Sequence, residues 1–414
     1  MRDYKYIIIG GGIAGTTAAE TIREKDKIGT IAIIGDESYP LYSRVLLPNF
    51  LKNRAEKERV FLRREDSYDK KKIDTFFGKK VARVDFKNKE LSLSDNQSLS
   101  YEKLLIASGG RVKKFEINGV DSSDIYHFQS IDDAVAIKEK MLSIKKAVVL
   151  GGSFIALELA ESFHLNGKET NIILRGDGFW KGIMDKESND IIIENIKEKG
   201  VNLFLNEEIE SGKYEDGKKV LISKSKREHI FDILAVGVGI DRNIEFLDNS
   251  QINIKKGIVA NEYLETNIED VFTAGDVAEF YDLITDRYQI YGNWPASFLH
   301  GRIAGINMTI GQAGEKTACR HISGYNIVNF GLNISFIGDV MRDENTIVIK
   351  RGNVINKEHS QIFIRKNLLV GATGINMNRE RSILAVLIDN KINLVDNLDN
   401  LKDVNFDLKI LINK

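Results

Sequence analysis

The residues best suited to chemistry in this 414-residue chain are glycines and carboxylates gathered at a few turns. The first turn reads Gly10-Gly11-Gly12-Ile13-Ala14-Gly15, a Gly-x-Gly-x-x-Gly spacing. In that spacing Gly10 permits a sharp turn and Gly12 lets the backbone approach a pyrophosphate. Gly15 lets the following helix pack closely on the preceding strand. The helix start, with Ile13 and Ala14, then turns its N–H groups and positive dipole end toward the phosphates. About twenty residues on, Asp36-Glu37 sets an acid where it reaches a ribose hydroxyl. These features predict a dinucleotide site, although a glycine turn also serves an ordinary βαβ unit.

A second turn reads Gly151-Gly152-Ser153-Phe154-Ile155-Ala156-Leu157-Glu158. Ser153 replaces the second glycine and adds a side chain beside the phosphate path, where its hydroxyl can donate a hydrogen bond. Ala156 replaces the third and costs only some helix–strand closeness. A βαβ unit that binds nothing is the plainer reading. The strand after it ends in Leu174-Arg175-Gly176-Asp177 with no acid at the ribose position. An acid there repels a 2′-phosphate, whereas an arginine pairs with one, so Arg175, supported by Lys181, tilts this unit toward NADPH alongside NADH. A third candidate is Asp276, delivered at the carboxyl end of a strand in 270–278, either as a ligand to a bound group or as a helix N-cap. Trp294, before Pro295, is on general grounds more often core than cofactor platform.

Strand, turn and helix must position these residues. The apolar runs 4–9 and 30–34 predict strands flanking a helix over 14–25. Residues 39–49, with Pro40 and Pro48, predict a shaped loop and no helix interior. A basic segment follows, with Lys52, Arg54, Lys57, Arg59, Arg63 and Arg64, which reads either as a solvated helical face or as a docking patch. Alternation over 79–85, 90–93 and 101–107 predicts a small antiparallel meander ending at Ala107-Ser108-Gly109. The second unit runs from strand 147–150 through a helix to about 165 and strand 171–174. A helix over 185–199 and strands near Leu203, Leu221 and Ile233 follow. The glycine-bearing run 231–240, which includes Gly239, predicts a crossing back to the first domain. Short strands from Cys319 onward and a helix near 381–387 predict a small α+β end.

Composition bounds the rest. The chain carries 59 Lys plus Arg against 60 Asp plus Glu, a formal net charge of −1, which gives no reason to invoke nucleic acid or an anionic membrane. No run approaches the roughly eighteen apolar residues of a membrane span, and the opening residues do not make a signal peptide. Cys319 is the only cysteine and the six histidines are scattered, which excludes intrachain disulfides and predicts no metal centre. A soluble, cytoplasmic protein is the default expectation.

The order of these motifs resembles the pyridine-nucleotide–disulfide oxidoreductases, the two-dinucleotide flavoprotein reductases. Within them it is most similar to the branch without active-site cysteines: ferredoxin and rubredoxin reductases, the flavoprotein part of nitrite reductase, and apoptosis-inducing-factor-like proteins. The resemblance implies an α/β fold with two Rossmann-like dinucleotide-binding domains plus a small C-terminal α+β domain. The FAD-binding domain would span 1–112 and 243–318, the NAD(P)H-binding domain 113–242 and the C-terminal domain 319–414. It further implies FAD on Gly10, Gly12, Ile13, Ala14, Gly15, Asp36, Glu37, Arg44, Lys80, Val81, Ala107, Ser108, Gly109, Gly275 and Asp276. NADH or NADPH would lie on Gly151, Gly152, Ser153, Phe154, Ile155, Arg175 and Gly239. Glu158 would help to place the nicotinamide, and Trp294 would lie beside the isoalloxazine.

The implied reaction is hydride transfer from NAD(P)H to flavin, then electron transfer to a small ferredoxin- or rubredoxin-type carrier docked in part by the basic segment, in a monomer or homodimer. No cysteine stands near Ser43-Arg44-Val45, which speaks against disulfide reduction. Asn49 stands where relatives carry a lysine near the flavin, Gln129 where many carry an arginine, and His300 where a glutamine is common. The alternatives are an NAD(P)H oxidase reducing oxygen directly and a flavin-bound interaction protein with a weakened nicotinamide site.

Overall fold

The computed structural model describes residues 2–247, 251–311 and 314–412. The chain divides into two compact units. Unit 1 is Met1–Val45, Lys57–Arg111 and Asp241–Ser323, and unit 2 is Leu46–Glu56, Val112–Ile240 and Gly324–Lys414. Three bodies were expected from the sequence. Here the C-terminal segment and the short stretch Leu46–Glu56 group with the second dinucleotide-like unit.

Unit 1 is built on a seven-stranded sheet. Strand Arg2–Ile9 lies between Ile31–Gly35 and Ser98–Ile106, parallel to both, and Ile73–Phe77 and Val271–Thr273 extend the parallel part. Ile7, Ile8, Leu104 and Leu105 are completely buried. Such unbroken apolar runs suit parallel strands covered on both faces. Ser98–Ile106 also pairs antiparallel with Glu90–Leu93, which pairs with Val81–Asp85, so the expected meander is present. Strand Ile73–Phe77 was not read from the sequence. Its two exposed residues after Ile73 break the alternation that marks a half-buried strand.

Helices Ile13–Lys25 and Trp294–Thr309 cross at small residues. A Cβ at Gly301 would stand 2.1 Å from Ala14 O, and one at Gly305 would stand 2.8 Å from Ala18 O. Only glycine permits these helix axes to approach so closely.

In unit 2, strands Asn202–Phe204, Glu169–Ile173, Lys146–Leu150, Ile233–Val236 and Ile125–Tyr126 form a five-stranded parallel sheet. Helix Phe154–Leu165 follows the central strand, and helix Lys186–Glu198 precedes the edge strand. Gly324–Asn329, Leu332–Gly338, Leu368–Ile375, Glu358–Arg365 and Ile347–Asn353 form an antiparallel sheet, with helix Arg381–Asp389 after it. The loop expected over 39–49 is corrected at its end: Leu47–Leu51 is a short helix with Pro48 in its first turn. There the N–H that proline lacks would have had no intrahelical acceptor.

The helix crossing in unit 1 gives a stability prediction. Gly301→Val forces side-chain atoms into Ala14 backbone and should cost roughly 2–4 kcal/mol in denaturant unfolding. A Cβ at Gly292 meets nothing within 4 Å, so Gly292→Ala should stay within about 0.5 kcal/mol of the parent. Equal midpoints for the two variants would refute the account of the crossing.

Candidate functional site

In unit 1 the first glycine turn is crowded on two sides and open on the third. Gly10 has φ +117°, and a Cβ there would lie 2.1 Å from Ala107 O. At Gly15 it would lie 1.9 Å from Gly10 O, whereas at Gly12 it would meet nothing within 4 Å. Protein backbone therefore demands glycine at 10 and 15, and the space before Gly12 is left open. Gly12 is also the N-cap of helix Ile13–Lys25 and, as glycine, supplies no side-chain acceptor. That helix start is an uncompensated positive pole suited to a pyrophosphate.

The other expected residues of this unit lie at strand ends and turns around it. Asp36 is exposed immediately after strand Ile31–Gly35. Glu37 accepts hydrogen bonds from Arg44 and from the Tyr42 hydroxyl, and Arg44 Nη1 donates to the Tyr42 hydroxyl at 2.8 Å. Although burial works against its charge, Glu37, Tyr42 and Asp36 raise the basicity of Arg44. Lys80 is exposed, and Val81 packs partly buried against the apolar cluster of the meander. At the turn after Ala107, Ser108 Oγ donates to Asn243 O at 2.6 Å, and the Asn243 backbone N–H donates to Gly109 O at 3.0 Å. Gly109 has φ +63° and open space at its Cβ position.

Asp276 lies inside the turn Gly275–Val277, whose N-cap is Ala274, so the N-cap reading of Asp276 is corrected. Its Oδ1 accepts from Ser297 Oγ at 3.1 Å, and burial pushes its pKa up. Gly275, at φ +78°, would bring a Cβ to 3.2 Å from the Ala14 Cβ. Trp294 is half-buried at the start of helix Trp294–Thr309, so it is not a core residue. His300 is fully buried on the same helix, edge-on to the Phe280 ring at 4.6 Å, with no hydrogen-bond partner for either ring nitrogen among the described residues. Burial pushes its pKa down to about 3. Cys319 is buried and its thiol is pushed up to about 12, which leaves no reactive thiolate near neutrality.

The second glycine turn, in unit 2, is built differently. Gly151, at φ +126°, would bring a Cβ to 2.6 Å from Gly237 O, and Gly152 would bring one to 2.7 Å from a Leu174 methyl. Ser153 caps helix Phe154–Leu165: its Oγ accepts from the Ala156 N–H at 3.4 Å and donates to Gly237 O at 3.1 Å. Phe154 and Ile155 are half-buried, and Phe154 lies 6.1 Å from the Tyr325 ring. Arg175 and Lys181 are exposed and have no ion-pair partner among the described residues. The Lys181 side chain passes 3.8 Å from the Cβ position of Gly176, the residue after Arg175. Gly239, at φ +101°, accepts from the Lys113 N–H at 3.1 Å. Gln129 Oε1 accepts from the Val112 N–H at 2.9 Å.

Sequence reasoning missed Lys52 and Glu161. Lys52 was read with a basic surface segment, yet it is buried and its ammonium donates to Glu161 Oε2. Glu161 also accepts from Asn329 Nδ2 at 3.0 Å and from the Phe330 N–H at 2.7 Å. The signal available was a second acid, three residues after Glu158, on an otherwise apolar helix. In the same segment Arg63 is held by Glu20 through contacts of 2.7 and 2.8 Å. Asp185, Glu187 and His359 are the one grouping of metal-ligating side chains among the described residues. Lys350 already fills the cation position there, 3.1 Å from Asp185 and 2.7 Å from Glu187.

Two predictions follow from unit 2. Lys52→Met strands the buried Glu161 charge and should cost about 3–5 kcal/mol, read by calorimetry. Glu158 is raised to about 7, first by burial, with Lys52 lowering and Glu161 raising it. From the ordinary carboxylate range up to about pH 7, folded Glu158 keeps a proton that the unfolded chain has released, so stability falls as pH rises. Glu158→Gln should match the parent near pH 4 and exceed it by roughly 1–2 kcal/mol at about pH 8. Identical pH dependence in the two proteins would refute the shift.

The family described as pyridine nucleotide-disulphide oxidoreductase matches residues 4–301. The ferredoxin–NAD(+) reductase component of the 3-phenylpropionate/cinnamic acid dioxygenase of Photorhabdus laumondii is 27% identical over 399 residues, covering 96% of this chain and 100% of its own. The NADH-rubredoxin oxidoreductase of Clostridium acetobutylicum is 26% identical over 351 residues, covering 84% and 86%. Among solved structures, the putidaredoxin reductase–putidaredoxin complex superposes with a TM-score of 0.91 at 19% identity, covering 100% of this chain and 99% of that one. No helix among the described residues is long and apolar enough to cross a membrane. With more than two thirds of its length matched, the chain belongs to the pyridine nucleotide-disulphide oxidoreductase family.

Proposed function

We propose that this protein is an FAD-dependent NAD(P)H:acceptor oxidoreductase that passes electrons to a ferredoxin- or rubredoxin-type carrier. The observation that carries this reading is the first glycine turn, whose open face at Gly12 meets an uncapped helix start. The donor set fits FAD: Gly10, Gly12, Ile13, Ala14 and Gly15 for the pyrophosphate, and Asp36 for the ribose hydroxyls. Glu37 positions Arg44, while Lys80, Val81, Ala107, Ser108, Gly109, Gly275 and Asp276 line the remainder. The flavin would accept a hydride from the nicotinamide and release electrons onward. Gly151, Gly152, Ser153, Phe154, Ile155 and Gly239 would shape the nicotinamide nucleotide site. Arg175 and Lys181 supply cations for a 2′-phosphate, Glu158 orients the nicotinamide, and Trp294 flanks the flavin. Relatives that bear the names ferredoxin–NAD(+) reductase and NADH-rubredoxin oxidoreductase support the carrier class.

We further infer three functional regions with the sequence boundaries given above, a cytoplasmic location, and a monomer or homodimer. The cations left for a carrier are fewer than the sequence suggests. Lys52 is buried and Arg63 is paired with Glu20, so Arg59 and Arg64, both exposed, take the docking role.

One observation favours a second reading. Ser153 caps its own helix, which weakens that N-terminus as an anion site, as in a flavin-bound interaction protein. Anaerobic mixing with NADH and with NADPH separates the two: flavin bleaching within seconds supports the enzyme, and a flavin that stays oxidised refutes it. Arg175→Glu should cut kcat/KM for NADPH about tenfold relative to NADH, a factor equivalent to about 1.4 kcal/mol. An unchanged ratio would remove Arg175 from the site. Arg59→Glu with Arg64→Glu should slow carrier reduction at low salt several-fold while leaving reduction of a neutral dye intact. Oxygen consumption that rivals carrier reduction would favour the oxidase alternative.

A further inference from the structure

Glu158 stands one turn along helix Phe154–Leu165 from Phe154, and Lys52, the cation whose charge acts on it, is already committed to Glu161. Lys52 donates to Glu161 Oε2, and both side chains are almost free of solvent. Asn329 Nδ2 and the Phe330 N–H complete the donors on Glu161, at 3.0 and 2.7 Å. The Glu158 carboxyl itself makes no hydrogen bond or ion pair among the described residues.

The other elements packed on this helix add little charge. Strand Gly324–Asn329 brings Tyr325, whose hydroxyl burial pushes up to about 12, so it stays neutral. Strands Lys146–Leu150 and Glu169–Ile173 carry Lys146 and Glu169 at their starts, paired with each other at 3.4 Å. Strand Ile233–Val236 carries no charged residue. The local charge at Glu158 is therefore set by one ion pair whose members act in opposite senses, Lys52 the more strongly, and by the proton on Glu158.

We propose that Lys52 and Glu161 are positioning residues for nicotinamide selection: by satisfying one another they leave Glu158 as a switchable acid, neutral toward the reduced ring and anionic toward the oxidised ring. This rests on the oxidoreductase reading above. A protonated carboxyl offers one donor and one acceptor, matching the carbonyl and amino groups of the nicotinamide carboxamide, whereas a carboxylate only accepts. The oxidised ring carries a positive charge that the reduced ring lacks, so a carboxylate in a partly buried site favours it. With its pKa pushed up to about 7, Glu158 changes state in the neutral range. By linkage, binding the oxidised nucleotide expels the proton and binding the reduced one retains it.

The test uses the FAD-loaded protein and the nucleotide series that bleaches it. Dissociation constants are measured between about pH 6 and about pH 8 for the oxidised nucleotide and for a tetrahydronicotinamide analogue, which has a neutral ring and transfers no hydride. The preference for the oxidised nucleotide should rise about tenfold across this range in the parent, and stay within about twofold in Glu158→Gln. In Glu161→Gln, Lys52 becomes available to Glu158, and the transition should move to lower pH. Should that variant fail to fold, infrared difference spectra between the two pH limits still report on the nucleotide-free parent. They should contain the carbonyl band of a protonated carboxyl, absent in Glu158→Gln. A flat preference in the parent, a parent-like profile in Glu158→Gln, or no such band overturns the proposal. Rapid flavin bleaching with a flat profile overturns this inference alone, whereas failure of every nucleotide to bleach the flavin overturns the oxidoreductase reading with it.

Discussion

Unit 2 depends on one buried carboxylate. Glu161 collects a lysine from the segment 46–56, a side-chain amide from Asn329 and a backbone N–H from Phe330. Asn195, on helix Lys186–Glu198, adds a hydrogen bond of 2.9 Å to Phe330 O. Stretches far apart in the chain thus meet around a single charge. Desolvating an ion pair is expensive, and good geometry with further hydrogen bonds offsets the expense; here Asn329 Nδ2 and the Phe330 N–H supply such bonds to Glu161, while Asn329 Oδ1 stays without a partner among the described residues. That requirement gives a physical reason why Leu46–Glu56 and Gly324–Lys414 share a compact unit with the second dinucleotide-like sheet.

Unit 1 is governed by steric exclusion where unit 2 is governed by charge. Its glycine turn, its helix crossing and its Asp276 turn all converge on Ala14: Gly301 abuts the Ala14 carbonyl and Gly275 the Ala14 methyl. Gly15, the next residue, abuts Gly10 O. The start of helix Ile13–Lys25 is therefore held by contacts that admit no side chain. A rigid, uncapped helix start suits anion binding because the N–H groups need no rearrangement when the ligand arrives.

Much of this was legible in the sequence, for reasons that differ by residue. The strand–turn–helix at residues 4–25 can be read because a buried apolar run, a glycine spacing and a helical run adjoin one another. The meander could be read by alternation, and Ser153 and Ala156 by their departure from the glycine pattern. Strand Ile73–Phe77 was lost because its exposed middle hides the period of two. Helix Leu47–Leu51, at five residues, is too short to show a helical period. The Lys52–Glu161 pair spans 109 positions and the Ser153–Gly237 bond 84, and nothing local in either segment announces a partner so far away. Local chemistry was visible, and the identity of its long-range partner was not.

The two glycine turns show what that distinction means for ligand selection. At the first, the cap residue has no side chain, so the helix start is left to whatever anion arrives. At the second, Ser153 occupies its own helix start and is tied to Gly237, so part of that positive pole is already answered. An anion there must draw more of its affinity from side chains, and Arg175, just after the adjacent strand, and Lys181, farther along the same connection, are exposed cations. Side-chain charges on a surface are screened by salt and exchanged easily in evolution, whereas a backbone cradle is neither. The first turn answers an anion with backbone alone, and the second leaves more of that task to side chains.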